Sequence, residues 1–129
     1  MKPVVREWIE KAEADFRSAG REYRARKQPN FDAACFFAQQ CIEKYLKARL
    51  MKGGMAVQKT HDLAALLDLL LPLEPSWAVV RPQLDTLTSY AVVFRYPGES
   101  ATREMAQTAV ADAKAIRLRI RMAFGLHET

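Results

Sequence analysis

An all-α fold, an antiparallel up-and-down four-helix bundle with a short additional helix, is what this sequence predicts. Apolar residues recur at three- and four-residue steps over long stretches, Gly and Pro gather at the ends of those stretches, and no one-in-two strand alternation competes with them. Long amphipathic helices with short connections pack most readily as antiparallel neighbours.

The first helix is expected from about Pro3 to Lys27, with Trp8, Ala12, Phe16, Ala19 and Tyr23 on one face and Pro3 suited to a first turn. Asn30 can cap a second helix, whose stripe Phe31, Ala34, Cys35, Ala38, Ile42, Tyr45 and Leu46 runs until Gly53 and Gly54 stop it. Phe36 and Phe37 widen that stripe, which predicts a central position for this helix. Thr60 can cap a shorter third helix through about Leu71, placing Asp62 in its first turn, where a negative side chain complements the helix dipole. Pro72 and Pro75 end it. A fourth helix is expected from near Pro82, with Leu84, Leu87, Ala91 and Phe94 on one face, until Pro97 and Gly98 break it. Ser100 can cap the last, whose Met105, Ala109, Ala113, Ile116, Ile120 and Phe124 form a stripe ending at Gly125.

At 129 residues the chain fits one domain, residues 1–129, and its 50% hydrophobic and 27% charged residues are ordinary globular composition. No stretch approaches the roughly 20 apolar residues of a membrane span and no secretory h-region opens the chain, so a cytoplasmic setting is expected. Cys35 and Cys41 lie about 9 Å apart along one helix, too far for a disulfide, and are expected as buried reduced thiols. With two Cys, two His and neither CxxC nor HExxH, no metal site or cofactor is implied. The net charge of +5 favours polyanions such as RNA or nucleotides, and serves solubility equally well.

Several polar residues have both a functional and a plain structural reading. Lys44 and Lys47 share a helical face and can hold a phosphate, whereas Gln39, Gln40, Glu43, Lys44 and Lys47 together also suit a solvated, charge-paired face. His61 is either a ligand contact or a helix-start residue satisfying free backbone groups. Arg95 and Tyr96, at the bend where the fourth helix must stop, can clamp a phosphate and stack a base, or simply tie down the loop. Arg17, Arg21 and Arg24 form one basic stripe and Lys114, Arg117 and Arg121 another, able to follow an RNA backbone or to complement helix C-termini.

In order, WIEKAEAD from Trp8, AQQCIEKYLKARL, THDL and FRYP resemble the HEPN domain over nearly the whole chain. The resemblance implies an all-α bundle, frequently a homodimer, encoded beside a minimal nucleotidyltransferase and associated with nucleotide or RNA, often in toxin–antitoxin or defence modules. Many such domains are metal-independent ribonucleases carrying Arg, four to six residues, then His. Here Arg95 holds the comparable place, but the histidine positions are Ser100, Ala101 and Thr102, none of which does imidazole chemistry. Arg121 and His127 meet the spacing by counting alone, straddling Gly125. The departure argues against the RNase activity of the Arg/His branch and leaves the fold and a binding role for Arg95, Tyr96, His61, Lys44 and Lys47. Two alternatives stand beside that role. One is a ribonuclease toxin using Arg121 with His127, or a set built around His61 and Arg95; the other is a structural homodimer formed through Trp8 or Trp77.

Overall fold

The computed structural model describes residues 1–126, and among them every regular element is helical. The four long helices are α1 (Pro3–Arg24), α2 (Phe31–Lys52), α4 (Arg81–Val93) and α5 (Arg103–Ala123), with the short α3 (Leu63–Leu70) between α2 and α4. Helix α2 is the hub, packing against α1, α3, α4 and α5. Its contacts with α1 and α5 run through small side chains: Ala12, Ala19, Ala34, Ala38, Ala109 and Ala113 are wholly buried, which allows close approach of the backbones. Leu63, Leu66, Leu67 and Leu70 fill the other end of the core, and no helix among the described residues is long and apolar enough to cross a membrane.

Helix boundaries follow local chemistry. The Asn30 side chain accepts from Ala33 N at 2.9 Å to start α2, and at its end Gly54 turns into the left-handed region (φ 74°), where a side chain would be strained. Helix α1 stops at Arg24 rather than Lys27, because Gln28 precedes Pro29, which disfavours helical backbone, and Gln28 adopts φ 50°. The cap of α3 is Asp62, not Thr60: its carboxylate accepts from Ala64 N and Ala65 N, while Thr60 Oγ1 accepts from Asp62 N at 3.1 Å. Thr102, not Ser100, caps α5 by accepting from Met105 N, and Ala101 N donates to Asp32 Oδ1 at 2.6 Å, fixing the preceding loop against α2. A 3₁₀ turn at Pro75–Val80, not expected from the sequence, leads into α4. It buries Trp77, which is therefore no exposed dimer contact, and Trp8 is half-buried at the edge of the core. Both cysteines are free and wholly buried, and burial pushes the Cys35 thiol up to about 11.

Candidate functional site

Helix α2 has apolar residues nearly all round, so polar side chains on it cannot all reach solvent. Gln39, Glu43 and Lys47, one turn apart in succession, are buried, which overturns the solvated-face reading for these three. Burial demands partners. Glu43 Oε2 accepts from Lys47 Nζ at 3.1 Å, and Glu43 Oε1 accepts from Gln39 Nε2 at 3.2 Å and lies 2.9 Å from His61 Nδ1. Gln39 Nε2 also donates to the His61 carbonyl at 2.9 Å, and Gln40 Nε2 donates to Gln39 Oε1 at 2.8 Å. His61 is thus held at both its ring and its main chain.

Burial alone would raise the Glu43 carboxyl, but hydrogen bonds from His61, Lys47 and Gln39 and the charge of Lys47 outweigh it and hold the group below the usual carboxylate value. An ionised Glu43 only accepts, so His61 Nδ1 carries the hydrogen and Nε2 is left on the outer edge of the ring. That ring is 76% exposed although its carboxylate partner is only 5% exposed.

His61 borders a cleft of about 230 Å³ between α2, the start of α3 and α4, lined also by Gln40, Asp62, Thr88 and Arg95 among others. Thr88 Oγ1 accepts from Leu63 N at 3.2 Å and joins the α3 start to α4. Arg95 follows the last turn of α4, and its guanidinium lies over the Phe36 ring of α2, 5.3 Å from the centroid. The cleft therefore offers a guanidinium, an imidazole and a side-chain amide from three elements, a set suited to a phosphate or another small oxyanion.

The other binding candidates lie elsewhere. Lys44 pairs with Asp15 of α1, whereas Lys47 lies beneath the cleft on Glu43, so the two ammonium groups serve different carboxylates instead of one shared anion. Tyr96 is 65% exposed and lies outside the cleft lining.

A second polar cluster joins α1, α2 and α5. Arg117 donates to Glu13 through Nε and Nη2, each at 2.6 Å, Tyr45 OH donates to the same carboxylate, and Arg121 Nη1 donates to Tyr45 OH at 3.2 Å. Arg117 also lies over Phe16, 4.6 Å from the centroid. Burial would raise Glu13, but hydrogen bonds from Arg117 and Tyr45 and the charges of Arg117 and Arg121 leave its carboxyl lowered. Arg117 and Arg121 are buried, so the expected basic stripe on α5 does not form: of its three members only Lys114 is exposed. Arg121 is engaged in this cluster, and its spacing partner His127 lies outside the described residues.

A HEPN-domain profile matches residues 5–122. The chain belongs to the HEPN family. The crystal structure of TT1696 from Thermus thermophilus is similar to it, with a TM-score of 0.74 and 26% identity over 92% of this chain and 96% of that one. No curated protein sequence matches. In this HEPN domain the fold brings His61, from the α2–α3 connection, and Arg95, from the end of α4, to one cleft. Sequence reasoning named His61 and Arg95 but missed Glu43 and Gln39 as the residues that hold His61. The signal that could have found them was the i, i+4, i+8 spacing of Gln39, Glu43 and Lys47 on a helix with almost no solvent face.

Proposed function

We propose that this HEPN domain is a nucleotide- or RNA-binding subunit of a cytoplasmic toxin–antitoxin-like module, working as a homodimer and with a minimal nucleotidyltransferase, and that the His61–Arg95 cleft receives a phosphate group of the ligand. The observation that carries this reading is the convergence of His61, held by Glu43 and Gln39, and Arg95, braced on Phe36, on one cleft. The net charge of +5 supports an anionic ligand, and the buried reduced thiols fit a reducing compartment. The test is calorimetric titration with AMP and a short RNA at two salt concentrations. Arg95→Ala is expected to weaken binding at least about tenfold, since a hydrogen bond to a charged group is lost. Binding indifferent to Arg95 and His61 removes the cleft from this role.

The Glu43–His61 hydrogen bond favours a second reading, metal-independent RNA cleavage. His61 Nε2 would take the proton of a ribose 2′-hydroxyl as its oxygen attacks the adjacent phosphorus, while Arg95 stabilises the added negative charge. The P–O5′ bond would break to give a 2′,3′-cyclic phosphate and a 5′-hydroxyl protonated by solvent. Cleavage that survives chelation and disappears in His61→Ala supports it; intact RNA after long incubation rejects it.

A further inference from the structure

Arg95 walls two clefts. Beyond the phosphate-sized cleft, the groove between α2 and α4 continues toward the start of α2 as a second cleft of about 430 Å³, bounded by Phe36, Phe37, Tyr90, Phe94, Asp32 and, again, Arg95. Ala91 belongs to both linings, so the two are adjoining compartments of one groove. From this arrangement we infer that the second cleft is a nucleobase subsite, and that the domain binds a nucleoside monophosphate, or a phosphorylated RNA end, with its phosphate between Arg95 and His61 and its base among the aromatic rings. The inference rests on the proposed role of the Arg95–His61 cleft and adds a base subsite to it.

Three features favour a base as the occupant. The walls are aromatic and fixed: Tyr90 and Phe94 stack at a tilt with centroids 5.3 Å apart, Phe36 and Phe37 meet edge-to-face at 5.7 Å, and all four rings are partly exposed rather than sunk in the core. Flat π-faces beside a cation bind nucleobases through stacking, which tolerates any base. The cleft is also polar at its far edge. Asp32 Oδ1 accepts from Ala101 N, and the carboxylate supplies an acceptor for an exocyclic amine, a group that hydrocarbon ligands lack. Finally, the dimensions fit. Asp32 and Gln40 lie at the two ends of the groove on one helix, and at the α-helical rise their separation is about 12 Å, which spans a mononucleotide from base edge to phosphate. Arg95 lies between them, its guanidinium over Phe36, where it can face both the phosphate and the base.

The experiment compares AMP, ribose 5-phosphate and inorganic phosphate by calorimetry on the intact chain, and repeats it with Tyr90→Leu, Phe94→Leu and Arg95→Ala. AMP is expected to bind on the order of tenfold tighter than ribose 5-phosphate, the usual contribution of one stacked base. Tyr90→Leu and Phe94→Leu should erase most of that ratio while leaving ribose 5-phosphate affinity in place, which also shows that the variants remain folded. Arg95→Ala should weaken all three ligands. Equal affinity of the wild type for AMP and ribose 5-phosphate overturns the base subsite and leaves the phosphate cleft standing. Failure of all three to bind overturns both. If either leucine variant unfolds, the wild-type ratio still decides.

Discussion

Two glutamates in this domain, Glu43 buried and Glu13 partly buried, are surrounded by similar partners and serve different ends. Glu13 is closed in by Arg117, Tyr45 and Arg121 from two other helices, so the cluster ties α1, α2 and α5 together. Glu43 is met by Gln39 and Lys47 from its own helix and by His61 from a neighbouring connection, and the far edge of that imidazole is in solvent. Both carboxyls are held below their ordinary value, so charge and burial alone do not separate a structural clasp from a candidate site. What separates them is the exposure of the partner: the His61 imidazole is 76% exposed, whereas the Arg117 and Arg121 side chains are 4% and 10% exposed.

The comparison is broken most severely by Arg117→Ala. It leaves Glu13 without its bidentate partner between three helices, and a loss of about 3–5 kcal/mol in urea denaturation is expected, with the His61 cleft unaltered in any variant population that stays folded. Glu43→Gln is expected to cost less, about 1–3 kcal/mol, because the single amide oxygen still accepts from one of the two partners, Lys47 or His61. It should nevertheless weaken ligand binding in the cleft by freeing the ring.

The pH response sharpens the contrast. Because both carboxyls titrate lower in the folded chain than in the unfolded one, their ionised forms stabilise the fold. That contribution is complete above the ordinary value of 4.5 and is lost as pH falls through the lowered folded values. Denaturation midpoints followed from neutral pH into acid should therefore fall less steeply in Glu43→Gln than in the wild type, since one of the two linked protons is gone. Asp62→Ala comes next, at about 1 kcal/mol for a lost N-cap, with a smaller loosening of the adjacent His61. The smallest effect belongs to the exposed Arg81–Asp68 pair, where Arg81→Ala should leave the thermal midpoint unchanged within error.

Much of the fold was legible in the chain. Gly53–Gly54 and Pro97–Gly98 mark helix ends because their backbone chemistry acts locally, and the apolar steps of α2 and α5 identify core faces without knowledge of the partners. Cap positions were less legible where two competent residues sit close together: Thr60 and Asp62, or Ser100 and Thr102, both offer an oxygen, and tertiary contacts such as Leu63 N with Thr88 and Ala101 N with Asp32 go with the start that is adopted. The site was visible as residue types only. That Glu43 is buried depends on four helices closing around α2, and that His61 meets Arg95 depends on how α3 and α4 pack, neither of which is written in local spacing.

The two cysteines carry a practical consequence. Wholly enclosed and with thiols that resist deprotonation, Cys35 and Cys41 present no thiolate to a maleimide while the domain is folded. With no other cysteine in the chain, a Tyr96→Cys variant would carry a single addressable handle beside Arg95, so that a fluorophore or spin label attached there could report occupancy of the groove without first stripping the native thiols from the core.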